Sequence, residues 1–175
     1  IGKVTKRRNL ISADMGGTSF DVSLIFNGKF ARSKGVELEW GIPIRTSMVE
    51  VKTIGAGGGS IAWVDKGGLL RVGPESAGSN PGPSAYGKSS LPTVFDANIV
   101  LERIPKTVLR DNIIKLYPER SYRSIEKISK KLKISTLRCA ESIIEQTNHK
   151  MSTAIESLCV KYGFDHRDFI LYAYG

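Results

Sequence analysis

Apolar and polar positions in the first part of the chain follow patterns that predict strands. Residues 9–14 (NLISAD) form a short apolar run that ends in an acid, which is typical of a buried strand. Residues 20–26 (FDVSLIF) alternate apolar and polar side chains of high β propensity. Asn27-Gly28 then predicts a two-residue hairpin turn, because both positions of such a turn take a positive φ angle. We therefore expect residues 29–39 to form the returning strand.

The β-rich pattern continues into a region that glycines interrupt. Residues 42–54 are rich in strand-forming side chains and run into the glycine-rich segment 55–60 (GAGGGS). Residues 61–64 and 69–72 predict two short strands joined by the turn DKGG. Residues 74–92 are rich in Gly, Pro and Ser, so we expect a long loop, and loops of this length usually have a function or are mobile.

Apolar residues recur at helical spacing after residue 92. Residues 93–104, 121–133 and 135–162 predict three helices, and Gly163 is a suitable C-terminal cap for the third. The buried stripe predicted for the third helix contains Leu137, Ala140, Ile144, Met151, Ile155, Leu158 and Val160. Residues 169–174 (FILYAY) predict a final strand. Helices combined with the earlier strands and hairpin indicate an α/β fold class.

The composition is that of an ordinary globular protein. The chain has 175 residues, of which 41% are hydrophobic and 25% charged, so extensive disorder is excluded. No segment approaches the roughly 18 consecutive apolar residues of a transmembrane helix, and we expect no membrane partner. Two cysteines, Cys139 and Cys159, are too few for a disulfide scaffold and indicate free thiols in a reducing, cytoplasmic compartment. The two cysteines lie far apart in sequence, as do the two histidines, so we expect no zinc finger.

The net charge of +9 raises the question of a nucleic-acid partner. The basic residues are spread along the chain, and the run at 127–133 (KISKKLK) alternates with apolar residues as on an amphipathic helix. No helix-turn-helix, zinc knuckle or ribonucleoprotein aromatic motif is visible. We therefore expect no specific nucleic-acid binding, and attraction of phosphorylated small ligands is the other explanation of the charge.

The segment that follows the first predicted strand carries the strongest chemical signal. Asp14 ends that strand, and Asp21 lies near the start of the next predicted strand, residues 20–26. Between them is a short turn that contains Gly16, Gly17, Thr18 and Ser19. Successive backbone N–H groups in such a turn form a concave anion site that suits phosphate oxygens. Asp14 is placed to hold a hydrated Mg²⁺ ion or to orient a water molecule, although Gly-Gly turns also occur in ordinary hairpins.

Two further features have a chemical and a purely structural interpretation. The second glycine-rich segment ends in Gly57, Gly58, Gly59 and Ser60. Consecutive glycines favour close approach to a phosphate or a substrate, and the alternative is a flexible surface loop. Asp96 is a candidate cap of the helix that follows it, an interpretation at least as strong as a catalytic role.

The sequence then resembles a known family. DMGGTSFDVSL (14–24) is similar to the second phosphate loop of the actin-like ATPases, a superfamily of sugar kinases, heat-shock chaperones and actin. Residues 41–87 and 92–104 resemble the hydantoinase A and 5-oxoprolinase family, which also contains nucleotide-binding subunits of acetone and acetophenone carboxylases. Residues 162–169 resemble the segment before the family's final glycine motif. On this resemblance the first phosphate loop would lie before residue 1, so we expect an internal fragment of a larger subunit.

The resemblance implies a fold and a mechanism. The fold is part of an actin-like (ribonuclease H-like) ATPase with a mixed sheet, a β-hairpin and packed helices. Residues 1–104 would be its glycine-rich β part and residues 105–175 a helical part that ends in a strand, both in one domain. The activity implied is ATP-dependent hydrolysis of a cyclic amide such as a hydantoin or 5-oxoproline, in which ATP phosphorylates the amide oxygen. A hydantoinase B-type subunit or a second copy of the chain is the implied partner.

The same resemblance assigns roles to the candidate residues. Asp14 and Asp21 are the candidate catalytic carboxylates, and Asp14 is also the candidate ligand of Mg²⁺. Gly16, Gly17, Thr18 and Ser19 would bind the β- and γ-phosphates of ATP through their amides. Gly57, Gly58, Gly59 and Ser60 would face the nucleotide or the substrate. Two alternatives from the same superfamily are a nucleotide-binding subunit of an acetone-type carboxylase and a non-catalytic nucleotide-binding or assembly module.

Overall fold

The computed structural model describes residues 2, 4–33, 36–37, 43–44, 47–105, 108–109 and 114–175. In these ranges the strands are β1 (Leu10–Met15), β2 (Phe20–Phe26), β3 (Lys29–Phe30), β4 (Arg32–Ser33), β5 (Val36–Glu37), β6 (Pro43–Ile44), β7 (Met48–Val49), β8 (Val51–Ile54), β9 (Ser60–Val64), β10 (Leu70–Ser76), β11 (Val108–Leu109), β12 (Ile114–Lys115) and β13 (Ile170–Tyr174). The helices are α1 (Val94–Val100), α2 (Pro118–Leu132) and α3 (Thr136–Lys161).

The chain divides into two compact units. Unit 1 comprises residues 1–15, 20–54 and 152–175, and unit 2 comprises residues 16–19 and 55–151. Helix α3 therefore contributes its first part to unit 2 and its last part to unit 1. The division predicted at residue 104 stays a prediction.

Unit 1 is built on a mixed sheet in the order β13–β1–β2–β3, with β8 also paired to β2. Strand β13 runs parallel to β1, whereas β1, β3 and β8 are all antiparallel to β2. The alternation predicted for β2 is confirmed in its first part, because Phe20, Val22 and Leu24 are buried. The two adjacent strands β1 and β2 thus place their apolar side chains in the core of this unit.

The predicted hairpin turn is confirmed, and the strand after it is shorter than predicted. Asn27 and Gly28 have φ angles of 51° and 77°, as a two-residue hairpin turn requires. The single strand expected over residues 29–39 is wrong, since the described part forms the short strands β3, β4 and β5. The physical reason is a change of pairing partner: β3 pairs with β2, whereas β4 pairs with β7.

The C-terminal end of α3 confirms the predicted glycine cap. Gly163 has a φ angle of 72°. Its amide donates to the Val160 carbonyl at 3.0 Å, and the Phe164 amide donates to the Cys159 carbonyl at 2.9 Å. These two bonds form a Schellman motif, which satisfies carbonyls at the end of the helix. The Phe164 ring then stacks on Phe26 with centroids 4.3 Å apart.

Unit 2 joins the β9–β10 hairpin to helices α1, α2 and the first part of α3. Helix α2 begins with Pro118, a favourable first position, and is followed by Lys133 with a φ angle of 56°. Gln146 of α3 donates to the Leu70 carbonyl at 2.9 Å, which ties α3 to β10. A hydrophobic cluster within this unit consists of Ala85, Ile99 and Leu116, with Tyr86, Phe95 and Ile104 packed against it.

The buried stripe of α3 differs in part from the predicted one. Its buried members are Cys139, Ala140, Ile143, Ile144, Thr147, Ala154, Leu158 and Cys159. Leu137 and Val160 were predicted to be buried, but they are 56% and 75% exposed. Each lies two residues from a buried position, and two residues correspond to about 200° around a helix, so both point away from the stripe. No helix in the described ranges is long and apolar enough to span a membrane.

Both cysteines are buried free thiols. Burial raises the pKa of Cys139 to about 11, and burial together with the Asp165 carboxylate raises the pKa of Cys159. Because the thiolate is the reactive form, we expect an aromatic disulfide reagent at pH 8 to label native Cys139 about 100-fold more slowly than the unfolded chain. The single variants Cys139→Ala and Cys159→Ala separate the two signals, and rapid labelling of either native thiol would contradict the buried placement.

Candidate functional site

The first glycine loop (residues 16–19) directly follows β1. The Gly16 amide donates to the Ser19 carbonyl at 3.0 Å, which closes the turn. Gly16, Gly17 and Thr18 are exposed and Ser19 is half-buried. Within the described residues, the amides of Gly17 and Thr18 have no protein acceptor. The loop thus presents two adjacent backbone donors, the type of group that binds phosphate oxygens.

The second glycine loop (residues 55–60) holds the first one in place. The Gly58 amide donates to the Gly16 carbonyl at 3.0 Å, and the Gly59 amide donates to the Gly17 carbonyl at 2.6 Å. A Cβ atom on Gly57 would lie 2.6 Å from the Gly17 carbonyl carbon, so the two backbones are in direct contact. The structure therefore brings both predicted loops together within unit 2.

Hydrogen bonds inside the second glycine loop use two of its own amides. The Gly57 amide donates to the Ser60 hydroxyl at 2.9 Å, and the Ser60 amide donates to the Gly57 carbonyl at 3.0 Å. Gly57, Gly59 and Ser60 are buried, and Gly58 is half-buried. The contact of these residues with a nucleotide or substrate stays a prediction, and their observed contacts support the first glycine loop.

The two candidate carboxylates lie on neighbouring strands of unit 1. Asp14 of β1 and Asp21 of β2 are directly opposite each other in the antiparallel register, so both side chains leave the same face of the sheet. Both are half-buried, and the Thr53 hydroxyl donates to Asp21. Gly175 lies against the end of β1, where a Cβ atom would be 2.9 Å from the Asp14 carboxylate.

These carboxylates fit one requirement of a magnesium site. Mg²⁺ in phosphoryl-transfer sites is usually held by one or two carboxylates together with the phosphates of the substrate. Asp14 and Asp21 are such a pair. No group of three or more His, Cys, Asp or Glu side chains with metal-binding geometry occurs among the described residues. The carboxylates of Asp14 and Asp21 would supply two oxygen ligands to such an ion.

A cavity of about 570 Å³ within unit 2 opens beside the first glycine loop, and we call it the lysine pocket. Gly17 and Thr18 line it, and Lys88 and Lys115 add two positive charges. None of the described residues that line it is acidic. Sequence reasoning missed both lysines, because each is an isolated basic residue in a stretch without a recognisable pattern.

Two tyrosines complete the walls of the lysine pocket. The Lys115 ammonium lies 5.4 Å from the centroid of the Tyr117 ring, within the range of a cation–π interaction. The Tyr86 ring packs edge-on against Phe95 at 5.6 Å. Burial and the nearby Asp96 carboxylate raise the pKa of Tyr86, so its hydroxyl keeps its proton and stays a hydrogen-bond donor.

Asp96 is a fully buried carboxylate that is bonded to the segment before Tyr86 of the pocket wall. It is the third residue of α1, and it forms a capping box with Thr93, which is the N-cap. The N-cap is therefore Thr93 and not Asp96 as predicted, because the helix begins two residues before Asp96, which completes the capping box from within the first turn. Asp96 accepts hydrogen bonds from the Ser84, Ala85 and Thr93 amides and from the Thr93 and Ser121 hydroxyls, at 2.6–3.1 Å. As the acceptor of these five hydrogen bonds, Asp96 has a structural role.

Glu50 and Lys52 each find a partner on α3 or just after it. The Lys161 ammonium lies 2.7 Å from the Glu50 carboxylate, and the Tyr162 hydroxyl donates to the same carboxylate at 3.2 Å. Lys52 donates to the Ser157 hydroxyl at 2.7 Å. Glu50 is therefore paired with Lys161 of α3, and Lys52 is bonded to Ser157 of the same helix.

Solved structures identify the class of fold. The crystal structure of an ATP-dependent caprolactamase from Pseudomonas jessenii matches all of this chain and 26% of its own, with 41% identity and a TM-score of 0.90. A nucleotide-free acetone carboxylase structure matches 99% of this chain and 25% of its own, with 26% identity and a TM-score of 0.84. The predicted fold class, part of an actin-like ATPase fold with a mixed sheet, is confirmed.

Sequence comparison identifies the family. The hydantoinase/oxoprolinase family model matches residues 1–175, so the chain belongs to the hydantoinase/oxoprolinase family. The caprolactamase alpha subunit of Pseudomonas jessenii is 42% identical over 172 residues, which are 95% of this chain and 24% of that protein. The chain thus spans about a quarter of the length of this relative and of two other curated relatives. The family resemblance read from the sequence is confirmed.

Proposed function

We propose that the chain supplies the phosphate-binding part of an ATP-dependent hydrolase that opens cyclic amides. The observation that carries this proposal is the first glycine loop: its exposed Gly17 and Thr18 amides are held in position by the second glycine loop. Asp14 precedes this loop by two residues in the chain. The similarity to a protein described as an ATP-dependent caprolactamase supports both ATP and an amide as reactants.

The chemistry begins with activation of an unreactive bond. Resonance stabilises the amide, so its carbon is a poor electrophile. In the proposed step the amide oxygen forms a bond to the γ-phosphorus of ATP, the bond from that phosphorus to the bridging oxygen breaks, and ADP leaves with the electron pair. Water then adds to the activated carbon, and the ring C–N bond breaks as the nitrogen takes a proton. A second water releases inorganic phosphate from the acyl phosphate that remains.

The residues of this chain would position charge rather than form covalent intermediates. Backbone amides of Gly17 and Thr18 would donate to phosphate oxygens, where they stabilise the charge on the transferred group. Asp14 and Asp21 would hold Mg²⁺. When it is bound, that ion neutralises part of the negative charge of the phosphates. Ser19 and Gly16 would keep the loop closed through their mutual hydrogen bond.

A carboxylase subunit is the second candidate function. The acetone carboxylase structure matches nearly the whole chain, and the same loop would there transfer a phosphoryl group to a different oxygen acceptor. Assays with a lactam, a hydantoin and acetone distinguish the two candidates. A relative named as a subunit alpha also supports a partner subunit, which we propose is of the hydantoinase B type, with a homo-oligomer as the alternative.

Asp14→Asn tests the proposal. We expect it to weaken binding of a non-hydrolysable ATP analogue in the presence of Mg²⁺ by about tenfold or more, which corresponds to about 1.4 kcal/mol. The physical reason is the loss of a negative charge that would hold the metal against the phosphates. Isothermal titration calorimetry measures the affinity with and without Mg²⁺.

Asp65→Asn is the matched control for that experiment. It removes the same charge from a turn in which Asp65 accepts from the Leu69 amide and pairs with Arg71. We expect nucleotide affinity to stay unchanged in this variant. Equal weakening by both substitutions, or no Mg²⁺-dependent binding by the folded wild-type protein, would contradict a phosphate site at the first glycine loop.

A further inference from the structure

A second cavity, of about 610 Å³, lies within unit 1, and we call it the basic pocket. Lys6, Arg7 and Arg8 line one side of it, and all three residues are exposed. None of the described residues that line it is acidic, and none of the three basic side chains forms an ion pair with a described carboxylate. The basic pocket therefore holds three positive charges to which the described part of the chain supplies no counter-charge.

The segment that carries these charges is bonded to the hairpin turn on the other side of the basic pocket. The Gly28 amide donates to the Arg8 carbonyl at 2.9 Å. The Asn27 amide donates to the side-chain oxygen of Asn9 at 3.0 Å. Asn27 and Gly28 also line the pocket. The backbone on both sides is thus held before a ligand binds, which reduces the entropy lost on binding.

The remaining walls of the basic pocket are apolar. Leu10 of β1 lies opposite Ile25 of β2, and Ile25 lies opposite Phe30 of β3, so the three side chains form one row on one face of the sheet. Phe30 is 53% exposed, and its ring pairs with none of the other described aromatic rings. A flat ring can therefore stack on Phe30 while its charged group reaches the basic side chains.

Charge and geometry favour phosphate over carboxylate as the anionic group of a ligand. A phosphate monoester carries about −1.5 to −2 charges at neutral pH, whereas a carboxylate carries a single one. The planar guanidinium group binds two phosphate oxygens at once, which a lysine ammonium does not do. At about 610 Å³ the basic pocket is within the range of small-molecule sites, roughly 300–1,000 Å³, so a ring fits beside the phosphate.

We propose that the basic pocket binds a phosphate monoester whose body is a flat aromatic or heteroaromatic ring. Arg7 and Arg8 bind the phosphate oxygens, and Lys6 adds a third charge. The ring stacks on Phe30. The basic pocket shares no residue with the first glycine loop, so this site is additional to the phosphate site proposed there. Because the ligand contacts both residues 6–8 and the hairpin, its binding also stabilises unit 1 against unfolding.

The test is a backbone-amide NMR titration of the protein without Mg²⁺, using phenyl phosphate, inorganic phosphate and benzyl alcohol as probes. We expect phenyl phosphate to shift the Asn27 and Gly28 amide signals. It should bind at least about tenfold more tightly than either other probe, because it alone combines the charge with the ring. Its affinity should fall at higher salt concentration, since exposed charges are screened.

Three variants and one control assign the contacts. We expect Arg7→Gln and Arg8→Gln each to weaken phenyl phosphate binding about fivefold or more. Phe30→Leu keeps an apolar side chain without a flat ring, so it should lower the affinity for phenyl phosphate to near that for inorganic phosphate. Arg103→Gln removes an exposed arginine of unit 2 and should keep the wild-type affinity. Unchanged melting temperatures of the ligand-free variants show that they are folded.

Four results would overturn the proposal. Shifts confined to the Gly17 and Thr18 amides, or no shift at Asn27 and Gly28, would mean that the basic pocket stays empty. Equal affinity for phenyl phosphate and benzyl alcohol would show that the charge is not recognised. Equal affinity for phenyl phosphate and inorganic phosphate would show the same of the ring. Equal weakening by the Arg103 control and the two arginine variants would indicate attraction by net charge alone.

Discussion

Replacing Asp96 with alanine is expected to lower the free energy of unfolding by about 3–5 kcal/mol, the range typical of breaking a buried charged network. The substitution leaves five donors without their acceptor in a fully buried position. Hydrogen bonds to charged groups contribute roughly 1.5–3 kcal/mol each, and these contributions do not add fully because the donors share one carboxylate. Urea unfolding followed by circular dichroism measures the change as a shift of the midpoint.

Two further variants make the Asp96 prediction specific. Asp96→Asn keeps the size but presents an NH₂ group to donors, so we expect it to lose a large part of the same stability. Asp65→Ala removes a carboxylate that also accepts several hydrogen bonds, but this one lies in a surface turn, and we expect a clearly smaller loss of stability. A similar loss in the Asp65 and Asp96 alanine variants would show that burial of the network does not matter.

Gly57→Ala is expected to weaken ligand binding strongly. The new Cβ atom would lie 2.6–2.7 Å from the Gly17 carbonyl group and from the Thr18 carbonyl carbon, and backbone atoms cannot rotate away as a side chain does. The first glycine loop must shift, so we expect phosphate or ATP-analogue binding to weaken by about tenfold or more. Overpacking of this kind also destabilises a protein by about 1–3 kcal/mol.

The adjacent position supplies the control. A Cβ atom on Gly58 meets nothing within 4 Å, so Gly58→Ala adds the same methyl group without a collision. We expect nucleotide affinity and stability close to those of the wild-type protein. Calorimetric titration and thermal unfolding of the two variants side by side measure the contrast. Normal binding by a folded Gly57→Ala protein would show that the contact between the two loops is not needed for the site.

The Asp96 network and the contact between the glycine loops support the same pocket in different ways. Asp96 binds the Ser84 and Ala85 amides, which precede Tyr86 of the pocket wall. The second glycine loop fixes Gly17 on another wall through the Gly59 amide. Both arrangements hold the pocket in its shape before a ligand binds, which reduces the entropy lost on binding.

Several local features of the fold could be predicted because neighbouring residues decide them. Asn27-Gly28 takes the positive φ angles of a hairpin turn, and Gly163 takes that of a helix C-cap, because these residues tolerate such angles. Strand β2 has the predicted bounds, residues 20–26, since period-two alternation needs no distant information. The α3 stripe was predicted less well, because a long helix offers several apolar registers and its packing partners select one.

The amino-acid sequence by itself determined the α/β class, the family, the hairpin and the positions of the two glycine loops in the chain. Each of these depends on residues close together in sequence. Only the tertiary structure decided that the second glycine loop binds the first, that Asp96 serves five donors, and that Lys88 and Lys115 line one cavity. The two loops, the two lysines, and Asp96 with Ser121 are each more than twenty positions apart in the chain. The physical reason is that shape, burial and the need of buried polar groups for hydrogen bonds select such partners only in the folded chain.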